Sequence, residues 1–336
     1  MRREGRVMER VAAWENLRLA FGLASRGKRG RREVMEFEAR LDERLGTMSD
    51  ELREERVVWG GYRRFKVWDP KERQICAPPF RDRVLHHALM AVCGPVLDRA
   101  LIHHTYACRE GKGVHAALEA AEANARRHGW HVKLDVRRYF DSIEHGRLIK
   151  MLERRFKEWN VLSLFWSILE TYQTSPGRGL PIGSLTSQWL ANLYLDPLDR
   201  MVTETLRCPG YVRYMDDFVL WGDTRDEVRG WRGEVESFLR ERLGLELKER
   251  TPVQPTGHGL PFLGFRLFPH RRRRLERRSR DRFERGWRAA RRAFEEGRLG
   301  EREYQQRLEA LFGWVSHAET SALRRALLER LGDVAE

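Results

Sequence analysis

Two carboxylates, Asp216 and Asp217, stand side by side in VRYMDDFVLW (212–221), between two apolar runs of a chain whose net charge is +14. Alone, the pair reads as a polar turn, because Asp tolerates turn geometry. A third carboxylate changes the chemistry. Asp135 closes the apolar stretch of KLDVRRYFDSI (133–143). Two strands that each deliver a carboxylate at one end bring the acids together if they are neighbours in a sheet. Like charges held that close are unfavourable unless a cation neutralises them. Two divalent ions bridged by such carboxylates, about 3.5–4 Å apart, are the apparatus of nucleotidyl transfer. One activates a primer 3′-hydroxyl, and the other holds the triphosphate and the leaving pyrophosphate. On this reading the acidic point binds Mg²⁺ and the basic remainder binds phosphates.

The elements that must position these acids are legible in outline. WHVKLDV (130–136) alternates as a strand, and YVRYMDDFVLWG (211–222) reads as a hairpin with Asp216 and Asp217 at or near its turn. Residues 60–79 mix aromatic and β-branched residues with Gly and Pro, predicting short strands or a hairpin. Helical spacing covers 10–56 (with a basic break at SRGKRGRR, 25–32), 80–101, 113–127, 146–156, 186–206 and 227–244. Between Arg266 and Arg292, 13 arginines face 3 acidic residues, a net of +10, with Phe283, Trp287, Ala290 and Phe294 at helical spacing. This segment reads as a basic amphipathic helical tail, apolar side inward. Without regular βαβ alternation, the expected class is α+β with an antiparallel sheet.

The bulk composition agrees. Apolar residues make up 41% of 336, enough for a substantial core, and a pI near 10.1 favours a polyanionic partner. The most apolar window (84–97) is too short for a membrane span and carries two histidines, so no membrane partner is expected. The N-terminus has no apolar core of signal-peptide type. Cys76, Cys93, Cys108 and Cys208 are widely spaced without a CxxC pair, which speaks against a zinc ribbon or disulfide scaffold and for a reduced, cytoplasmic setting.

YMDD in its hairpin, LDVRRYFDSI upstream and GLPIGSLTSQWLANLYLDPLD (179–199) between them resemble a reverse transcriptase of the prokaryotic retroelement type, over nearly the whole chain. The resemblance implies a right-hand polymerase with fingers and palm built on an antiparallel sheet flanked by helices, and a helical thumb. The matching divisions are a helical extension at 1–56, fingers at 57–130, palm at 131–260 with part of the fingers at about 146–180, and a primer-positioning hairpin and basic thumb at 261–336. It implies that Asp135 and Asp216 ligate metal directly, with Asp217 as third carboxylate. The metal is two Mg²⁺, with Mn²⁺ the alternative. Template RNA, primer or cDNA and dNTPs are the partners. Phe140 takes the place of the side chain that excludes a 2′-hydroxyl, though a core aromatic is the plain alternative. Arg109 and Lys112 resemble fingers residues that clasp the triphosphate, against the alternative of solvated loop charges. Arg81 and Arg83 resemble template- or phosphate-contacting residues, and FLGFRL (262–267) the primer-positioning hairpin. The arginines of the tail (Arg271, Arg272, Arg273, Arg274, Arg277, Arg278) are expected on the duplex. Many relatives carry Lys-Thr after the last palm helix, with the Lys as acid to pyrophosphate. Here Arg250 precedes Thr251, and Arg is a poor proton donor, which leaves Lys248 as the candidate.

The middle motif is the most particular. Ile182 stands where Gln is usual, followed by Gly183 and closed by Gln188. That combination resembles the reverse transcriptases of diversity-generating retroelements, which copy a template-repeat RNA with errors opposite adenine in mutagenic retrohoming. It implies a small basic pentameric accessory protein. The alternatives are a group II intron-like, retron-type or defence-associated reverse transcriptase, or a non-catalytic RNA-binding scaffold, for which a broken carboxylate set is the expected signature.

Overall fold

The computed structural model describes residues 3–68, 72–248, 251–321, 323 and 325. A sheet of four strands lies at its centre. It pairs β4 (Gly210–Tyr214), β5 (Asp217–Gly222), β3 (Trp130–Asp135) and β6 (Gln254–Pro255) in the order β4-β5-β3-β6, every neighbour antiparallel. Alternation along the strands gives each face its own core. Val132, Leu134, Tyr211, Phe218 and Leu220 point into the main core. Val212, Val219 and Trp221 point the other way, onto Ala117, Leu118 and Ala121 of helix Val114–Arg127. Cover on both faces accounts for β5, which reads as a nearly continuous apolar run.

Earlier in the chain lies an exposed two-stranded hairpin, β1 (Arg63–Trp68) with β2 (Glu72–Ala77). Behind it runs the long helix Phe80–Ala100, which tolerates Pro95 inside it. The N-terminal segment read as amphipathic helix is four helices, Val7–Val11, Trp14–Ser25, Arg32–Glu38 and Leu41–Arg53. They share the main core rather than forming one of their own. Phe37 stacks on Phe21 at 5.8 Å and meets Phe80 edge-on at 5.2 Å between ring centroids.

The FLGFRL stretch folds as expected into a hairpin, β7 (Leu260–Phe262) and β8 (Phe265–Leu267), with β9 (Arg274–Leu275) completing a three-stranded sheet. The basic tail differs from its reading. Arg266 and Arg274 lie in strands, and the helix runs only from Arg277 to Glu295. There Phe283, Trp287 and Ala290 are buried, and Phe283 and Trp287 pack against helix Glu301–Val315, while Phe294 stays partly exposed and stacks on Tyr304. The helix read across 186–206 is broken into Leu185–Tyr194 and Asp196–Arg200, the second entered through Pro197 in its first turn, followed by a wide turn at Met201–Thr205. Among the described residues no helix is long and apolar enough to cross a membrane.

Candidate active site

The three carboxylates come together at one end of the central sheet. In the β4–β5 hairpin Tyr214 pairs with Asp217, so Met215 and Asp216 form a two-residue loop. Such loops favour a positive φ at the first central position, usually filled by glycine. Here Met215 takes it, at φ 57°. On the neighbouring strand, Asp135 stands directly opposite Asp217 in register, and the Val136 amide donates to the Asp216 carbonyl at 3.3 Å. Alternation puts Lys133, Asp135 and Asp217 on one face, away from Leu134 and Phe218.

Directly opposed like charges on a sheet destabilise it, and burial makes the repulsion worse. Two lysines relieve part of it. Lys248 Nζ lies 2.6 Å from Asp135 Oδ2, and Lys133 Nζ lies 3.0 Å from Asp217 Oδ2. The other oxygen of each, Asp135 Oδ1 and Asp217 Oδ1, is buried without a hydrogen-bond partner. Burial, followed by the charge of Asp135, pushes the Asp216 carboxyl up to about 6, against Lys248 and Arg73. Burial pushes Asp217 up to about 7, opposed by Lys133 and reinforced by Asp135 and Asp216. An all-oxygen donor set with two orphaned oxygens and strained charge suits a hard divalent cation such as Mg²⁺ or Mn²⁺. Among the described residues, however, no three Asp, Glu, His or Cys side chains are gathered closely enough to hold an ion as they stand. Two of the carboxylates are turned onto lysines instead.

Residues 68–267, more than half of the chain, match the family model for reverse transcriptase (RNA-dependent DNA polymerase). The chain belongs to that family. It is similar to the protein YkfC of Escherichia coli K12, 26% identical over 288 residues, spanning 70% of this chain and 74% of YkfC. It is also similar to the group II intron-encoded protein LtrA of Lactococcus lactis, 22% identical over 264 residues, spanning 58% of this chain but 44% of LtrA. Among solved structures it resembles apo telomerase from Candida tropicalis, with a TM-score of 0.49 and 10% identity, over 63% of this chain and 47% of that one. As a member of the family the chain is an RNA-directed DNA polymerase with the right-hand architecture.

Around the carboxylates of this reverse transcriptase, the Gly-rich segment laces fingers to palm. The Leu180 amide donates to the Phe140 carbonyl and the Cys76 amide to the Ile182 carbonyl, both at 2.8 Å. Phe140 and Ile182 are half-buried, each keeping part of its side chain open. Gly183, at φ 116°, sits so close to β2 that a Cβ there would meet Ile75 Cγ2 at 2.9 Å and the Cys76 carbonyl at 3.2 Å. That close approach and the positive φ explain the glycine. Gln188 faces elsewhere, its Oε1 accepting from Cys108 Sγ at 3.5 Å.

The fingers arginines are placed differently from the sequence reading. All the Arg109 donors are engaged locally, on the end of helix Phe80–Ala100 and the loop that follows it: Nε on Asp98 Oδ1 at 2.6 Å, Nη1 on the carbonyls of Ile102 and Thr105, and Nη2 on the Asp98 carbonyl and Oδ2. Arg109 therefore latches residues 98–109 in this arrangement, and no donor is left for a triphosphate. Lys112 donates to the His103 carbonyl at 2.8 Å and lies over the Tyr106 ring. Arg81 pairs with Glu51 and bonds the Val58 carbonyl, and Arg83 pairs with Glu33 and lies over Phe80. Both fasten the N-terminal helices to the fingers. The residue missed by sequence reasoning is Arg73 on β2, whose charge reaches Asp216. Its signal was the alternation of basic and aromatic residues in an exposed hairpin, YRRFKVW followed by ERQI.

Along the tail, Arg273 pairs with Glu122 at 2.9 Å, Arg272 reaches Glu319 at 3.6 Å, and Arg274 lies over Phe268. Arg271, Arg277 and Arg278 are exposed. Arg250, which stands where many relatives carry Lys, lies outside the described residues. Lys248, the other candidate, is described and lies beside Asp135.

Proposed function

We propose that this chain extends a DNA primer along an RNA template, with Asp135 and Asp216 holding two Mg²⁺ ions and Asp217 completing the acidic set. The observation that carries the reading is the register pairing of Asp135 with Asp217, beside the two-residue turn that presents Asp216. Bound divalent ions supply an acidified 3′-hydroxyl and charge neutralisation on the triphosphate. The protein's own part is positioning. β3 and β5 hold the acids in register, Phe140 and Ile182 present partly open apolar surface beside the Gly-rich segment, and Arg73 brings positive charge toward Asp216. Lys248, at 2.6 Å from Asp135, is placed to give a proton to the departing pyrophosphate. Arg277 and Arg278 present charge to duplex phosphates. Extension of a primed RNA template with dNTPs and Mg²⁺ tests the reading. Asp216→Asn should lower the rate about a thousandfold, since a metal clamp supplies several kcal/mol. Retention of activity within tenfold removes Asp216 from the mechanism.

The finer reading is error-prone copying of a template-repeat RNA within a diversity-generating retroelement, with a small basic pentameric accessory protein as partner and a cytoplasmic location. Ile182 in place of Gln supports it. A glutamine at this position can hydrogen-bond an incoming nucleotide and penalise misplacement, whereas Ile supplies apolar contact worth about 1–3 kcal/mol less discrimination. Sequencing cDNA from wild type and Ile182→Gln should show fewer errors in the variant, and equal spectra remove the idea. The similarity to LtrA favours a second reading, a group II intron-like enzyme. Flanking intron RNA would support that one, and a nearby pair of repeats differing at adenines would support the first.

A further inference from the structure

Beneath the turn that carries Asp216 lies a completely buried ion pair, Arg213 with Asp199, both side chains at 0% exposure. Strand alternation puts Arg213 on the sheet face opposite Asp135, Lys133 and Asp217. Its guanidinium donates to Asp199 through Nε at 2.7 Å and Nη2 at 2.6 Å, and to the Asn192 side chain and carbonyl, each at 3.1 Å. Nη1, which bonds the Asn192 side chain, also reaches forward to the Met215 carbonyl at 2.9 Å. Asp199 is itself held by Tyr211 Oη at 2.7 Å and Thr105 Oγ1 at 3.0 Å.

We propose that Arg213 is a positioning residue for nucleotidyl transfer, fixing the Met215–Asp216 peptide so that the Asp216 carboxylate is aimed across the sheet end at Asp135. Two features point this way. Met215 occupies a left-handed φ of 57°, a conformation that a side chain adopts reluctantly and that the surroundings must impose. The carbonyl accepting from Arg213 belongs to that residue, and its orientation sets the peptide plane leading into Asp216. A buried ion pair, moreover, adds little stability over packed apolar side chains, so its presence here is better explained by geometry than by stability. The planar guanidinium bonds Asp199 and Met215 at once, which a lysine ammonium cannot do.

The inference rests on the polymerase reading only for its effect on rate, so its test has two readouts on the full-length chain. Arg213→Lys keeps a positive partner for Asp199 and loses the planar reach to Met215. Amide exchange in the segment 212–218 should speed up at least tenfold, with residues 130–134 unchanged. In extension of an oligo(dT)-primed poly(rA) template with dTTP, kcat should fall at least tenfold while the KM for dTTP stays within twofold. In a Met215→Gly background, where glycine accepts the turn without enforcement, Arg213→Lys should cost less than threefold in kcat. Unchanged exchange in 212–218, or the same loss of kcat in both backgrounds, overturns the inference. If Arg213→Lys does not accumulate folded, the neutral pair Arg213→Gln with Asp199→Asn takes its place, since it leaves no unpaired buried charge and removes the reach to Met215, and unchanged exchange again overturns the inference. An inactive wild type with the exchange effect intact refutes the polymerase reading alone.

Discussion

Replacing Asp217 by Asn offers a test of how charge is arranged at the sheet end, independent of any substrate. Burial raises the Asp217 carboxyl from its ordinary value of 3.8 to about 7, only partly offset by Lys133. The folded chain therefore keeps this proton up to near pH 7, while the unfolded chain releases it near pH 4. Below about pH 4 both states are protonated and the site carries no penalty. As pH rises toward 7 the unfolded state gains from ionisation and the folded state does not, so stability falls, and above about 7 the loss is constant. Between pH 5 and 8 about two units of the shift are traversed, or about 3 kcal/mol. For a chain of this length that corresponds to about 4 °C in Tm. Wild type and Asp217→Asn, melted in EDTA from pH 4 to 9, should give curves that diverge by that amount between pH 5 and 8, the variant keeping only the shallower decline contributed by Asp216, whose carboxyl is pushed up to about 6. Loss of the Lys133 contact moves the variant curve by a constant and leaves its slope alone. Saturating Mg²⁺ should remove most of the wild-type decline, since a bound cation stabilises the ionised carboxylates. Parallel curves in EDTA would refute the claim that burial at this sheet end, rather than solvent, sets the protonation of Asp217.

Three further outcomes follow from the geometry. Arg109→Ala should destabilise the chain by about 2–3 kcal/mol, the loss of a largely buried guanidinium with its bonds, while KM for dNTPs per folded molecule stays within twofold; a tenfold rise in KM would restore its part in gripping triphosphate. Gly183→Ala should cost about 2 kcal/mol or more in denaturant melts, because its φ of 116° and the 2.9 Å approach to Ile75 leave no room for a methyl group, and a neutral result would mean that β2 moves aside freely. Replacing Arg277 and Arg278 together by Gln should reduce the slope of log affinity against log salt for a primer–template duplex by about 2, and an unchanged slope would assign both side chains to a merely solvated face.

The chemistry was legible from local sequence, and its geometry was not. Strand alternation in WHVKLDV and YVRYMDDFVLWG and the apolar spacing of Phe283 and Trp287 follow from periodicity, a property of neighbouring residues, whereas the FLGFRL hairpin is expected from family resemblance. The same local signals named three acids and a strongly basic surround. What each charge does depends on which opposite charge the fold places against it, and that is set at long range. Asp98 lies 11 residues from Arg109, but Glu51 lies 30 from Arg81, Glu33 50 from Arg83 and Asp135 113 from Lys248. Arginines that composition offers to phosphates are thus partly taken up in holding the fingers and N-terminal helices together. Arg213 reads in sequence as one more basic residue before the turn, and only burial against Asp199 turns it into a brace beneath Met215. Sequence alone determined the residue types able to bind metal and phosphate. Tertiary structure decided which of them are free to do so, because a charge removed from water must find its partner inside the fold.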